Sequence, residues 1–215
     1  MYGTKIVIYF VIVRNIKSIF QSCNQMNLEP IHILTSVALI IVALFIFKVI
    51  VRHDYLNKGR LTPFSTFLEL IVFFLHASSS YLYLDFDFSH VNRDFPIYPV
   101  AILFMVIGMS LLFISMAKLS LVVSFGSRNT GLQKSGMYRC TRNPQIVTYL
   151  LFLIGYLMLW TPSWTALVWL VTLVVMAHRM VLTEEEHLLL AYGDEYRKYC
   201  SKTPRYPGLR VKGSL

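Results

Sequence analysis

Long apolar blocks separated by short polar segments constrain this chain more than any other feature of its sequence. The blocks cover about residues 31–51, 63–84, 97–123, 144–160 and 164–182. Each is comparable in length to the roughly 20 residues that a helix needs to cross a bilayer. Charged residues make up only 14% of the chain, whereas soluble domains usually carry about 25%. We therefore predict an all-α, polytopic transmembrane helix bundle with about five spans and no separate soluble domain.

The N-terminal segment, residues 1–29, differs from these blocks. Residues 6–13 are apolar, but Arg14 and Lys17 interrupt the pattern soon after. This arrangement favours an interfacial helix that places both charges among the lipid headgroups. A sixth, tilted span is the alternative. Pro30 suits the first turn of a helix and marks the start of the first clear span.

Basic residues concentrate in the loops that follow the first, third and fifth spans. The positive-inside rule places these loops and the C-terminus in the cytosol. The formal net charge of +9 is thus interpreted as membrane orientation. Nucleic acid is not an expected partner, because the sequence contains no basic helix or aromatic and basic platform. The cysteines Cys23, Cys140 and Cys200 are too scattered to indicate a disulfide framework or a metal site.

The sequence divides into three regions. Residues 1–29 are the interfacial segment, residues 30–130 hold three transmembrane helices, and residues 131–215 hold the most distinctive pattern. That last region begins with a basic loop, continues as a hairpin of two spans that turns at Thr161-Pro162-Ser163, and ends with a polar tail. The acidic run Glu184-Glu185-Glu186 is expected to open a second, amphipathic helix that lies in the cytosol.

Arg142-Asn143-Pro144 is typical of the start of a helix. Asn is a favoured N-cap and Pro a favoured first helical residue, so capping alone explains Asn143 and Pro144. It leaves Arg142 unexplained. A cation beside the free N–H groups of a helix N-terminus is suited to binding a carboxylate or a phosphate.

The acidic run has two interpretations. Thr183 and Glu186 are spaced as a capping box, and acids in a first turn complement the helix dipole. Glu184 and Glu185, however, fall where the last span meets the interface, where ionisable residues are candidates for function. They are suited to a cationic ligand, such as a sulfonium or an amine, unless Arg179 neutralises Glu184.

Two further groups of polar residues remain open at this level. Glu69 and His76 in the second span are two helical turns apart and share a face, which fits either a structural hydrogen bond or a contact with substrate. The tyrosines of the last helix, Tyr196 among them, have the spacing of core packing, although an aromatic wall for an adenine is the alternative.

Taken in order, these elements resemble a known family. The family pattern is Gly-x-Tyr, then Arg-His/Asn-Pro opening a membrane hairpin, then a Glu pair, Gly-x-x-Tyr and a tail that contains Pro. Here it reads Gly136-Met137-Tyr138, Arg142-Asn143-Pro144, Glu184-Glu185, Gly193-Asp194-Glu195-Tyr196 and Thr203-Pro204-Arg205-Tyr206-Pro207. The C-terminal region thus resembles the isoprenylcysteine carboxyl methyltransferase-like integral membrane methyltransferases, which have the phospholipid N-methyltransferases as relatives.

The resemblance implies a methyltransferase that binds S-adenosyl-L-methionine at the cytosolic mouth of the last two spans. A lipophilic acceptor would reach it laterally from the bilayer. The expected cofactor-binding residues are Gly136, Tyr138, Arg142, Asn143, Pro144, Glu184, Glu185 and Tyr196. Arg142 and Glu184 are the expected catalytic residues, and no metal is implied.

Three positions depart from the family pattern. Asn143 replaces a common His, Ile146 replaces a common Tyr, and Met180 stands where an Arg is usual. These departures leave the acceptor, and activity itself, open. The carboxylate of a prenylated cysteine and the amine of a phospholipid are the main candidate acceptors. The competing interpretations are a membrane reductase that uses NADPH and a membrane adaptor without enzymatic activity.

Overall fold

The computed structural model describes residues 30–84, 91, 93, 96–119, 131–159 and 163–208, with the side chains of 118 and 119 excepted. The predictions for residues 1–29, for part of the basic loop after the third span and for the hairpin turn at 161–162 lie outside these ranges. The described helices are α1 (Pro30–Phe45), α2 (Arg52–Lys58), α3 (Pro63–Tyr83), α4 (Ile97–Leu119), α5 (Pro144–Met158) and α6 (Trp164–Lys202). No strand occurs within the described ranges, so the predicted all-α class is confirmed.

Four helical stretches are long and apolar enough to cross a membrane: Pro30–Lys58, Pro63–Tyr83, Ile97–Ala117 and Trp164–Lys202. Helix α5 is a shorter apolar helix of 15 residues. At 1.5 Å per residue it is about 22 Å long, less than the hydrocarbon core of about 30 Å. The predicted polytopic bundle is thus confirmed, with one member shorter than expected.

The first span is longer than the sequence predicted, because helical backbone continues past residue 51. A π-helical segment, Ile46–Val51, joins α1 directly to α2. Insertions of this kind are often found near functional sites. The helix ends at Gly59, whose φ of 63° is left-handed and whose N–H bonds to the Tyr55 carbonyl.

A buried carboxylate fixes the corner between α2 and α3. Asp54 is 4% exposed and accepts hydrogen bonds from Lys58 Nζ (2.7 Å), Thr62 N (3.0 Å) and the hydroxyls of Thr62 and Ser65 (both 2.5 Å). Thr62 is the N-cap of α3 and Pro63 its first residue. The corner is therefore held by side chains at both of its ends.

Helices α4 and α5 pack backbone to backbone. A Cβ placed on Gly155 would lie 2.6 Å from the Ala101 carbonyl oxygen, and one on Gly108 would lie 2.5 Å from the Phe152 nitrogen. Only glycine permits this approach, and small residues are typical where membrane helices pack closely.

Helices α1, α3 and α6 form the core that carries the site. Phe47, Val51, Val72 and Met176 are almost completely buried at their junction. On α3, His76 stacks on Trp169 of α6, with ring centroids 4.5 Å apart. The two residues exchange hydrogen bonds from ring nitrogen to backbone carbonyl, each 3.0 Å long. Of the two roles left open for His76, the structural hydrogen bond is the one observed.

The acidic run does not open a new helix. Helix α6 runs without a break through Thr183, so the capping box predicted for Thr183 and Glu186 is wrong. Thr183 is 2% exposed, and its hydroxyl is 3.2 Å from the Arg179 carbonyl and 3.3 Å from the Phe47 carbonyl. A glycine inside a helix, here Gly193, predicts a bend, and the bend is confirmed: this residue has φ 48° and ψ −121°.

Candidate functional site

The site begins in the loop that precedes α5. Gly136 has a φ of 63° and opens a short 3-10 turn, Gly136–Arg139. The turn buries the Tyr138 side chain, and the Tyr138 carbonyl accepts a 2.6 Å hydrogen bond from the Tyr199 hydroxyl. Burial raises the pKa of the Tyr138 hydroxyl well above its usual range. Tyr138 therefore contributes a neutral aromatic wall and ties the loop to α6.

Three charged side chains meet where α5 starts. Glu185 of α6 lies between Arg142 of the loop and Arg205 of the tail. Its Oε1 is 3.3 Å from Arg142 Nη1, and its Oε2 is 2.6 Å from Arg205 Nη2. Arg205 Nε lies 3.0 Å from both oxygens. The hydrogen bond to Glu185 raises the pKa of the Arg205 guanidinium. Arg205 therefore stays charged and keeps the tail bound to Glu185.

Arg142 is held by more than one partner yet retains unused donors. Its side chain is 9% exposed, and its Nη1 is 2.6 Å from Cys200 Sγ and 3.5 Å from the Tyr196 hydroxyl. Its Nε is buried and has no hydrogen-bond partner within the described part of the chain. A buried N–H without a partner costs free energy. Its presence here fits a site that receives an acceptor group from a ligand.

The segment 203–206, called here the tail strap, crosses the start of α5. The Arg142 N–H bonds to the Pro204 carbonyl at 3.0 Å. The Arg205 carbonyl accepts from Thr141 Oγ1 at 2.7 Å and from Asn143 Nδ2 at 3.4 Å. The strap thus fixes the backbone that carries the Arg205 side chain.

Asn143 does not act as predicted. It precedes α5 in the N-cap position, but its side chain makes no capping hydrogen bond. The amide instead donates to the tail strap, because the strap lies directly over the helix start. Pro144 is the first residue of α5, as predicted, and is fully buried.

Glu184 faces a different set of neighbours from Glu185. It makes no ion pair within the described part of the chain, and the neutralisation by Arg179 considered above is not observed. Its carboxylate instead lies close enough to act electrostatically on Glu69 of α3, Tyr55 of α2 and Tyr138. Glu69 therefore belongs to the surroundings of the acidic turn.

The first span contacts α6 both before and after the pair Glu184 and Glu185. Thr183 bonds to the Phe47 carbonyl of the π-helical segment. Arg52 makes a two-pronged ion pair with Glu186 at 2.8 and 2.6 Å. Beside it, the Tyr55 ring stacks on His187 with centroids 4.2 Å apart and planes 13° from parallel. These contacts fix the rotation of α6 at the point where Glu184 and Glu185 project.

Most of the predicted site residues therefore converge. Arg142, Glu185 and Tyr196 lie in one cluster, and Asn143 and Pro144 follow Arg142 in the chain. The turn that carries Gly136 and Tyr138 is joined to α6 by the Tyr199 hydroxyl. Glu184 acts electrostatically on Glu69 of α3 and Tyr55 of α2. Sequence reasoning missed Arg205 and Cys200 as members of the cluster. The Pro-flanked tail was the available signal for Arg205, and nothing local in the sequence indicated Cys200.

The chain is therefore a polytopic helical membrane protein, and its polar site lies at one end of the last two apolar helices. Residues 96–195, just under half of the chain, match the family model described as phospholipid methyltransferase. This segment is thus similar to that family, and the predicted resemblance to integral membrane methyltransferases is confirmed. The match supports a membrane methyltransferase. No curated protein and no solved structure matched the chain.

Proposed function

We propose that this protein is an S-adenosyl-L-methionine-dependent methyltransferase that acts on a lipophilic acceptor in the bilayer. The observation that carries the proposal is the buried cluster of Arg142, Glu185 and Arg205 at the start of α5. Methyl donors of this type carry a carboxylate, an amine and a sulfonium. A site with unused guanidinium donors and a nearby unpaired carboxylate matches that set of charges.

Different residues suit different groups of the methyl donor. The buried Nε of Arg142 suits its carboxylate. Glu184, which lacks an ion pair within the described part of the chain, suits a cationic group. Tyr138 and Tyr196 are buried beside them and supply apolar walls. The bound donor supplies an electrophilic methyl group, and the chain holds the reactants in line and excludes water.

The acceptor is a lipophile, since apolar helices surround the site. The carboxylate of a prenylated cysteine is one candidate. A second candidate, the amine of a phospholipid headgroup, is favoured by the electrostatic interaction between Glu69 and Glu184. Neither carboxyl group has an ion pair within the described residues, and such groups suit a cationic headgroup and a proton released from an amine. We place the site and the C-terminus on the cytosolic side, following the positive-inside rule.

The proposal is tested by calorimetry of S-adenosyl-L-methionine binding to the protein in detergent. Glu184→Gln removes one charge without disturbing an observed ion pair and is expected to weaken binding by about tenfold, the effect of losing a charged hydrogen bond. Glu195→Gln is the matched control, because Glu195 is exposed and pairs only with Lys134 among the described residues. Its affinity should equal that of the unmodified protein.

Transfer of a labelled methyl group to a prenylated cysteine or to phosphatidylethanolamine vesicles then separates the two acceptors. A folded protein that binds NADPH instead of the methyl donor would establish the reductase interpretation. One that binds neither would refute the proposal and favour an adaptor.

A further inference from the structure

The cluster at the start of α5 carries an excess positive charge. Arg142 and Arg205 are both cationic, and Glu185 is the one carboxylate that bonds to them within the described residues. Cys200, the other group close to Arg142, is a thiol that is neutral near pH 7 at its ordinary pKa. The charges of these three bonded side chains sum to one positive charge in a largely buried place, which an anion bound between the arginines would stabilise.

Both guanidinium groups keep donors for such an anion. Arg205 uses Nε and Nη2 on Glu185, and its Nη1 has no partner within the described part of the chain. Arg142 uses Nη1, and no described residue bonds to its buried Nε. A carboxylate has two oxygens and can accept one hydrogen bond from each arginine.

The backbone of Arg205 is fixed from both sides. Its carbonyl accepts hydrogen bonds from Thr141 and Asn143, and the preceding carbonyl, of Pro204, accepts from the Arg142 N–H. The next residue, Tyr206, is joined to His178 of α6 at 3.0 Å. The guanidinium is therefore aimed into the site by the tail strap, so that little conformational freedom is left to lose on binding.

We propose that Arg205 is a cofactor-binding residue which, together with Arg142, binds the carboxylate at the amino-acid end of the methyl donor. This inference rests on the proposed function. Arg205 lies beyond the segment that matches the family model, residues 96–195. In this arrangement Glu185 orients the two arginines, and the tail strap completes the site.

The test compares two ligands that differ in the amino-acid end. S-adenosylhomocysteine carries that end, whereas 5′-methylthioadenosine has the same nucleoside and thioether without it. Arg205→Gln is expected to weaken binding of S-adenosylhomocysteine by about tenfold to a hundredfold, the effect of losing one hydrogen bond between charged groups. Binding of 5′-methylthioadenosine should change by less than about threefold, because this ligand offers no carboxylate.

Two further variants make the result specific. Arg205→Lys keeps the charge and loses the two-pronged contact with Glu185 that orients it, so its affinity for S-adenosylhomocysteine should fall between those of the unmodified protein and Arg205→Gln. It also serves as the test if Arg205→Gln fails to fold. Arg197→Gln is the matched control, because Arg197 is 62% exposed and pairs with Asp194 at 3.9 Å. It should bind both ligands as the unmodified protein does.

The possible results separate this inference from the proposed function. Equal weakening of both ligands, or no weakening of S-adenosylhomocysteine, would overturn the role of Arg205. The second of these results, with impaired methyl transfer to a carboxylate acceptor, would assign Arg205 to the acceptor instead. If the unmodified, folded protein binds neither ligand, the proposed function itself fails.

Discussion

Replacing Glu185 by Gln would remove the one carboxylate that holds two arginines together. The Glu185 side chain is 9% exposed, and its partners Arg142 and Arg205 are 9% and 21% exposed. Removing one member of a buried ion pair typically costs about 3–5 kcal/mol, because the other charge remains buried without compensation. Since Arg205 is partly exposed, we expect a loss near the lower end, about 3 kcal/mol.

Thermal unfolding in detergent, followed by circular dichroism, measures this loss. For chains of this length, each kcal/mol shifts the midpoint by about 2–4 °C in soluble proteins, which predicts a decrease of roughly 6–12 °C. Glu195→Gln is the control, because Glu195 is exposed and its surface ion pair with Lys134 contributes little, and it should stay within about 2 °C of the unmodified protein. The double variant Glu185→Gln/Arg205→Gln should recover part of the loss, since only Arg142 then stays unpaired.

A decrease of less than about 2 °C for Glu185→Gln would refute the reasoning. It would mean that water or lipid headgroups compensate the two arginines and that the three side chains do not form a buried cluster. A double variant that is less stable than Glu185→Gln alone would contradict the assignment of charge repulsion as the cause.

Three other variants test the elements around the site. Thr183→Val removes the hydroxyl that joins α6 to the Phe47 carbonyl; we expect weaker binding of the methyl donor by calorimetry and recovery in Thr183→Ser, and equal loss in both variants would contradict this role. Gly155→Ala places a Cβ 2.6 Å from the Ala101 oxygen, so that overpacking of about 1–3 kcal/mol exceeds the gain of about 1 kcal/mol in helix propensity; an unchanged or higher unfolding midpoint would be evidence against close packing. Asp54→Asn weakens a carboxylate that accepts four hydrogen bonds and should cost about 2–3 kcal/mol, whereas a midpoint within 1 °C of the unmodified protein would show that the corner tolerates the loss.

The site was partly readable from the sequence because its motif residues are local. Arg142, Asn143 and Pro144 are adjacent, and Pro144 begins α5 because a proline is compatible only with the first turn of a helix. A bend at Gly193 was predictable for a similar reason, because glycine tolerates the backbone conformation observed there. Such features depend on one residue and its immediate neighbours.

Capping was the interpretation that failed, and it failed twice. Asn143 and Thr183 both have the side chains of good N-caps. In the folded chain Asn143 donates to the Arg205 carbonyl and Thr183 to carbonyls of Arg179 and Phe47. Local propensity predicts that such a side chain bonds to the N–H groups of its own helix start. Packing against a distant segment provides a backbone carbonyl as the partner instead. A sequence contains no local signal of that competition.

The sequence by itself determined that this chain is a membrane-embedded helical bundle, because the length and apolarity of each block meet the requirement of the bilayer without reference to any other block. It also determined which polar segments flank the last two spans. Only the tertiary structure decided that Arg205 completes an ion pair with Glu185, that Glu184 and Glu69 interact electrostatically, and that the first span fixes the rotation of α6. These pairings join residues far apart in the chain, and which of them form depends on how the helices pack against one another.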